Sequence, residues 1–333
     1  MSGRWRIRLR RLDPASGPRA ALVGALAWVV VLAGLQPGGP EVMLLLASLV
    51  VVPLGLGLVT PADPESRRAW PWRAAGRLQL PAALVLVASF ARPAGPLAAA
   101  LTLPWLAVTG LVALHGLARL WHGPRGISEV CLNLGLVYLA IGGAWTAITR
   151  SGLRPLGFPD VIVLMTAVHF HYAGFALPPL AGRAARELGG LVARLAALGV
   201  IAGVPLVAAG ITDSQVAHGL FPLHALELVA SGTLAASVLL VGMLHLRLAL
   251  RPSHPAVARI LMALCGLAPV GPMALAVLYA AGSYTDVVWL DVVQMIRYHG
   301  LVNALGFILP GLLAWSLVPA VRDDQEPGRP GRP

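Results

Sequence analysis

Charged residues are scarce in this chain of 333 residues. Only 12% of the residues are charged, whereas 57% are hydrophobic, and the mean hydropathy is +0.78. This composition supplies too little polar surface to coat a water-soluble globule. It excludes an ordinary soluble domain and indicates a protein that crosses a membrane several times.

The chain also has few thiols and lacks several common motifs. Its two cysteines, Cys131 and Cys265, lie inside apolar segments without CxxC spacing, which predicts reduced packing residues and not a metal or redox centre. There is no Walker motif, which argues against direct ATP hydrolysis by this chain. We therefore expect neither a metal nor a cofactor.

Lysine is missing altogether, so the 25 basic residues are all arginines, and the formal net charge is +11. In a soluble protein this charge would suggest nucleic acid as a partner. Here the arginines fall in short loops between apolar runs, which is the pattern produced by membrane orientation and anionic head groups. The expected partner is the lipid bilayer, and no nucleic acid is expected.

Long apolar runs, bounded by Pro, Gly and Arg, are what the chain has in abundance. Continuous hydrophobicity over roughly 17 to 25 residues is typical of transmembrane helices. The sequence predicts an all-α, polytopic transmembrane helical bundle of about ten spans. The predicted spans are 20–36, 41–60, 77–91, 95–117, 128–149, 158–182, 190–210, 221–246, 256–281 and 290–320.

The domain organisation follows from these runs. We expect an arginine-rich cytoplasmic arm at 1–19, a transmembrane domain at 20–321, and a disordered cytoplasmic tail at 322–333. The opening has the charge order of a signal peptide, but no convincing small-x-small cleavage site precedes Gln36, so we expect the first span to be retained.

The arginines also predict the orientation of the chain. Across ten spans, 21 arginines fall on one side of the membrane, and three fall on the other, namely Arg92, Arg150 and Arg154. The positive-inside rule then places both termini in the cytoplasm. One span too many or too few would move the later arginines to the opposite side, so the uneven distribution also supports the number of spans.

Ionisable groups deep in the sixth span are the first candidates for a functional site. Counted at 1.5 Å per residue, His169 and His171 lie roughly 17 to 20 Å into a hydrocarbon slab about 30 Å thick. A charged side chain at that depth costs about 2.5 to 3.5 kcal/mol, so polar groups kept there are candidates for function. Tyr172 adjoins them.

The spacing of the two histidines matters. Two residues correspond to about 200° around a helix, so a regular helix cannot aim both rings at one point. This argues against a metal clamp built from the pair. We expect one ring, preferably that of His169, to face a cavity, and the other to bond a neighbouring helix.

The eighth and tenth spans supply further candidates. His224 and Glu227 share one helix face, and His299 and Asn303 share another. Arg297 is the single arginine beyond the terminal turns of a predicted span, and its guanidinium needs a carboxylate, a water-filled cavity or an anionic ligand. Glu227 is the nearest such carboxylate in depth. The remaining histidines are expected to be interfacial, namely His115, His122, His218, His245 and His254.

Two stretches resemble a known family. His169-Phe170-His171-Tyr172-Ala173-Gly174-Phe175 and the segment from His299 to Phe307 are similar to the YndJ-like family of bacterial integral membrane proteins. Members are commonly labelled transporters, and the family as a whole implies no particular substrate. The resemblance implies a bacterial cytoplasmic membrane protein.

Three functions remain open from the sequence. The leading hypothesis is a small-molecule transporter or permease, with unknown substrate, whose site lies between the sixth, eighth and tenth spans. The second is an intramembrane enzyme in which Glu227 and a histidine act as acid and base on a lipid-soluble, isoprenoid- or epoxide-like substrate. The third is a membrane sensor or assembly factor with a structural polar core. Whether the chain is an enzyme stays open at this point.

Overall fold

A computed structural model describes residues 17–60, 64–124, 126–215 and 225–318, and these ranges contain helices but no strand. The ten long helices are α1 Gly17–Leu35, α2 Gly39–Val59, α3 Trp70–Phe90, α4 Pro96–Trp121, α5 Ile127–Ser151, α6 Asp160–Leu188, α7 Gly190–Gln215, α8 Leu226–Ala249, α9 Ala256–Thr285 and α10 Val292–Leu317. All except α3 have the length and hydropathy of a membrane span. The predicted all-α polytopic bundle is confirmed.

The third helix differs most from its prediction. We expected a short span starting at residue 77, whereas α3 starts at Trp70 and carries Arg73 and Arg77 in its first two turns. Pro71 suits a helix start because the missing N–H needs no partner there. Arginine stems can lie along apolar surface while the guanidinium reaches water, so the helix extends past its apolar core.

Several other helices also outlast their apolar runs. The sequence suggested that Arg297 would be the only arginine within a long helix, and the structure shows that it is not. Others within the long helices include Arg73, Arg77, Arg119, Arg150, Arg183 and Arg186.

Two helices, α2 and α6, form the centre of the bundle. In α2, 83% of the residues in the most apolar stretch are buried. The corresponding share in α1, which packs on the outside of α2, is 17%. The helices α3, α4 and α5 pack in series, α7, α8 and α9 pack in a second series, and each series contacts α6. The last helix, α10, packs on α2, α6 and α9.

The two central helices, and α10 which packs on both, contain π-helical turns. These turns are Ala47–Val51 in α2, Phe170–Ala176 in α6, and both Met295–Gly300 and Asn303–Ile308 in α10. At the end of each turn a backbone N–H bonds the carbonyl five residues earlier, as Leu177 does with Tyr172. Wide turns of this kind are rare and often occur at functional sites.

Proline explains three of the four turns. Pro53, Pro178 and Pro310 each stand two residues beyond a π-helical turn. A proline within a helix lacks the N–H that the carbonyl four residues earlier would accept, and its ring crowds that carbonyl. Widening the helix just before the proline relieves this conflict.

The predicted arm and tail are largely outside the described residues, since 1–16 and 319–333 are not among them. The prediction for the thiols is confirmed, because Cys131 and Cys265 are both buried and free.

Candidate functional site

His171 is a fully satisfied part of the core. Its Nδ1 lies 2.8 Å from the Ala167 carbonyl, one turn earlier in α6, and its Nε2 accepts a hydrogen bond of 3.2 Å from the Trp105 indole on α4. The residue is fully buried, and Gly142 of α5 lies so close that a Cβ there would be 2.7 Å from Nδ1. His171 therefore bonds the neighbouring helix, as expected for one member of the pair.

The same arrangement occurs a second time in the bundle. His245 places Nδ1 2.8 Å from the Val241 carbonyl, and its Nε2 accepts a hydrogen bond of 3.0 Å from Trp315 of α10. This corrects the expectation that His245 is interfacial, because the residue is fully buried.

Two further histidines are also buried instead of interfacial. The ring of His115 packs against Trp72, and His254 lies 2.8 Å from the Glu187 carboxylate. Both side chains therefore pack against protein and not lipid head groups. His122 is exposed as expected, and His218 lies outside the described residues.

His169 has a different environment. Its ring faces the Val204 carbonyl of α7 and lies within electrostatic range of His299 of α10. One of its ring nitrogens, Nε2, is sealed from solvent and has no hydrogen-bond partner. His169 immediately precedes the π-helical turn of α6, which turns His171 toward Trp105.

His299 and Asn303 complete this group. The Nδ1 of His299 lies 2.8 Å from the Pro272 carbonyl of α9, and the Asn303 amide nitrogen lies 3.4 Å from its Nε2. The Asn303 Oδ1 is also sealed and without a partner. We call His169, His299 and Asn303 the histidine site; α6 and α10 carry its side chains, while α7 and α9 supply the carbonyls.

The second central helix supports this site. The Tyr172 hydroxyl donates a hydrogen bond of 2.9 Å to the Met43 carbonyl of α2. The thioether of Met43 packs on α10, where a Cβ at Gly300 would meet it at 3.2 Å. Tyr172 thus ties α6 to α2 beside the histidine site, and its hydroxyl is already engaged.

Glu227 belongs to a separate polar layer. The hydroxyls of Ser214 on α7 and Ser283 on α9 face its carboxylate, and Tyr279 lies within electrostatic range. Its Oε2 is sealed and has no partner. We call Glu227, Ser214, Ser283 and Tyr279 the glutamate site.

The helices α7 and α9 each contribute to both the histidine site and the glutamate site, so the separation of the two sites can be read along them. Along α7, Val204 at the histidine site and Ser214 at the glutamate site are ten residues apart, or about 15 Å. Along α9, Pro272 and Ser283 are eleven residues apart, or about 16 Å. The expected gathering of Glu227 with the histidines in one pocket is therefore wrong, and so is the acid-base pair that the enzyme hypothesis required.

Arg297 does not pair with Glu227 either. It is exposed, and its guanidinium carbon lies 5.8 Å from the ring centroid of Tyr298. The π-helical turn of α10 turns His299 toward α9 while Arg297 faces outward. The other candidate, His224, lies outside the described residues.

Sequence reasoning missed the backbone and tryptophan partners. Nothing in the sequence pairs Trp105 with His171, because the two residues are distant along the chain. One signal was available: Pro205 deprives the Ile201 carbonyl of its helical donor, and the Tyr138 hydroxyl fills the gap at 2.7 Å. Prolines thus indicate where carbonyls are free to accept side chains.

Arg150 was also missed, since it was counted among the loop arginines. It is buried at the end of α5, where its guanidinium donates to the carbonyls of Ser89 and Arg92 and to the Ser89 hydroxyl. These bonds fix the connection between α3 and α4.

Comparison with known proteins agrees with this architecture. The sequence profile of the family described as "YndJ-like protein" matches residues 42–307. A protein of Bacillus subtilis (strain 168), described as "Uncharacterized membrane protein YndJ", is 31% identical over 307 residues, which cover 90% of this chain. The chain spans 53% of the length of that relative. No solved structure matches.

The matched region runs from α2 to α10 and includes every member of the histidine and glutamate sites. The chain is an integral membrane protein and belongs to the YndJ-like family.

Proposed function

We propose that the chain is a small-molecule transporter of the bacterial cytoplasmic membrane, and that the histidine site is its substrate-binding site. The observation that carries the proposal is the Nε2 of His169, which is sealed inside the bundle without a hydrogen-bond partner. Leaving a buried polar atom unpaired costs about 1 to 3 kcal/mol. A ligand that forms a hydrogen bond with this atom would remove that cost.

The location of this atom favours transport. His169 lies about nine residues, or ~14 Å, from the start of α6, which is close to the middle of a slab about 30 Å thick. Substrate sites of secondary transporters lie near the midplane, where helices are interrupted and irregular backbone lines the binding site. Here π-helical turns interrupt α6 and α10 at the site itself.

Movement of the central helices is the second requirement of transport. A π-helical turn closes each backbone hydrogen bond over one residue more than an α-helical turn does, and such turns frequently occur at functional sites. The three helices that contact one another at the centre, α2, α6 and α10, all carry such turns. A shift of these helices would change access to the histidine site.

The catalytic alternative receives less support from the same geometry. Acid-base chemistry needs a proton donor and acceptor within reach of one substrate atom. The Glu227 carboxylate is about 15 Å from the histidine layer along α7. The histidines themselves bond backbone carbonyls, which suits a binding role.

Proteoliposomes test the proposal. Vesicles that contain the protein are mixed with hyperosmotic glycerol, urea, methylammonium chloride, trimethylamine N-oxide or sodium acetate, and solute entry is followed by light scattering. We expect at least one solute to enter faster than it enters protein-free vesicles. The variant His169→Phe should reduce that entry about tenfold, which corresponds to one lost hydrogen bond of ~1.4 kcal/mol.

The matched control is His122→Phe, because His122 is exposed at the end of α4 and outside the site. It should leave entry unchanged. If no solute enters faster than in protein-free vesicles, or if both variants reduce entry equally, the proposed function is overturned.

A further inference from the structure

A recess lined by arginine lies where the chain passes from α2 to α3. A short helix, Pro64–Arg68, stands in this connection, and the recess beside it has a volume of about 530 Å³. Arg67 and Arg68 of the short helix and Arg73 in the first turn of α3 line it, together with Pro64. We call this feature the arginine recess.

The arginine recess concentrates positive charge at the protein surface. Its three arginines are exposed, and the short helix carries one acidic residue, Glu65. Arg77, one turn after Arg73 on the same face of α3, is exposed as well. The planar guanidinium group of arginine presents paired N–H donors whose geometry matches the oxygens of a phosphate group. The chemistry of the recess therefore suits a phosphate-bearing anion.

Tryptophan side chains indicate that the recess lies at the membrane surface. The ring of Trp72 packs on that of His115 at a centroid distance of 4.9 Å, so the start of α3 lies beside the last turns of α4. Trp70 and Trp121 are exposed at these two helix ends. Exposed tryptophan is enriched at the boundary between acyl chains and head groups. The recess adjoins Trp70 along the chain, which puts it at the depth of the lipid phosphates.

The same two helices expose apolar side chains deeper in the membrane. These are Leu78 and Leu84 on α3, and Leu114 and Leu117 on α4. Acyl chains contact such a surface at no cost, because lipid is as apolar as leucine. A molecule that combines a phosphate with acyl chains matches both the arginines and this surface, whereas a free phosphate matches the arginines alone.

From this arrangement we infer that the arginine recess binds the head group of an anionic phospholipid, with the phosphate among Arg67, Arg68 and Arg73 and the acyl chains along α3 and α4. Basic pockets at the ends of membrane helices bind anionic head groups through the same attraction. The recess is separate from the histidine site, so the inference does not depend on the proposed transport.

Lipid retention tests this site. The detergent-solubilised protein is incubated in mixed micelles with equimolar phosphatidylglycerol and phosphatidylcholine of identical acyl chains, repurified and extracted, and its lipids are counted by mass spectrometry. Both lipids carry a phosphate, but only phosphatidylglycerol has a net negative charge. We expect the wild type to retain more phosphatidylglycerol than phosphatidylcholine. The double variant Arg67→Gln with Arg68→Gln should retain roughly one phosphatidylglycerol fewer per protein, because two of the lining charges are gone.

Two further double variants serve as controls. Arg67→Lys with Arg68→Lys keeps both charges and should retain most of the bound lipid. Arg194→Gln with Arg247→Gln also removes two exposed arginines, near the start of α7 and the end of α8, and should leave the lipid count unchanged. The thermal unfolding midpoint of each variant without added lipid should equal that of the wild type, since all four positions are exposed.

The outcomes decide between a lipid site and a general effect of charge. Equal losses of phosphatidylglycerol in the two glutamine double variants, or equal retention of the two lipids by the wild type, overturn the inference. A wash with a large excess of inorganic phosphate should leave the lipid in place. If this wash removes it, the recess selects free phosphate, and the lipid site is overturned.

Discussion

A histidine ring inside a helical bundle is defined by what its two nitrogens face. In His171 and His245, one nitrogen bonds the carbonyl one turn earlier and the other accepts from a tryptophan indole. Both rings are complete, so they act as structural cross-links between helices. In His169 one nitrogen remains open, which is why that residue alone of the three is a candidate for ligand binding.

The tryptophan cross-links give a prediction at the scale of residues. Trp105→Phe removes the donor to His171 Nε2 and leaves a fully buried acceptor unpaired, which should cost about 1 to 3 kcal/mol. We expect a lower thermal unfolding midpoint in detergent. Trp121→Phe is the matched control, since Trp121 is 90% exposed, and it should leave the midpoint unchanged.

A double variant separates the lost hydrogen bond from the smaller side chain. Once His171→Leu has removed the acceptor, Trp105→Phe no longer leaves it unpaired. The double variant should therefore lose less stability than the sum of the two single variants. Strict additivity would show that the pair contributes packing alone.

Helices in this bundle approach closely where proline and glycine face each other. Pro53 frees the Leu49 carbonyl of α2, and Gly24 of α1 packs directly on that carbonyl. The same carbonyl lies in the π-helical turn Ala47–Val51. The close contact between α1 and α2 thus depends on the π-helical turn of α2 and on the missing side chain of Gly24.

A glycine comparison within α1 tests this contact at the scale of the element. A Cβ at Gly24 would overlap the Leu49 carbonyl, whereas a Cβ at Gly34 meets nothing within 4 Å. Gly24→Ala should separate the two helices and destabilise the protein by about 1 to 3 kcal/mol, as overpacking does. Gly34→Ala should be neutral or stabilising by up to about 1 kcal/mol, because alanine favours helix.

Thermal unfolding in detergent measures both variants. Since the two substitutions add the same methyl group to one helix, a general effect of alanine would move both midpoints in the same direction. Equal midpoints for Gly24→Ala and Gly34→Ala would contradict the close contact.

The whole molecule has a protein-lined centre and a lipid-facing periphery. Large apolar side chains are exposed on α1, where Leu22, Leu26 and Val30 are each more than 60% accessible. In a bilayer such a surface contacts acyl chains at no cost, because lipid is as apolar as the side chains. The π-helical turns lie in α2, α6 and α10, at the centre, where neighbouring helices can supply partners for irregular backbone.

Orientation in the membrane gives the prediction at this scale. The excess of arginine on one side predicts that the loop with Leu250, between α8 and α9, lies in the cytoplasm, and that the loop with Leu156, between α5 and α6, lies outside. Both leucines are exposed, and both native cysteines are buried. In spheroplasts a membrane-impermeant maleimide should label Leu156→Cys at once, and Leu250→Cys only after permeabilisation.

The wild-type chain is the background control and should stay unlabelled before and after permeabilisation. Labelling of Leu250→Cys in sealed spheroplasts, with protection of Leu156→Cys, would show the opposite orientation.

The sequence by itself determined the class of fold and most of the helices. Hydrophobic runs are a local property, and a bilayer forces such runs into helices, so composition and length suffice to find them. The two stretches around His169 and His299 could also be identified, because polar groups are conspicuous in apolar runs. Helix ends were less predictable, as α3 shows, because arginine stems can extend a helix beyond its apolar core.

Only the tertiary structure decided which polar groups meet. The depth of a residue along its own span placed Glu227 beside Arg297, but the tilt, register and π-helical turns of the packed helices place Glu227 with Ser214 and Ser283, and turn Arg297 outward. The partners of the histidines are backbone carbonyls and indoles from distant helices, and these leave no pattern in the sequence. Hydrophobicity acts through the sum of local burial and needs no partner, whereas a hydrogen bond needs one particular atom at about 3 Å, which only the folded chain supplies.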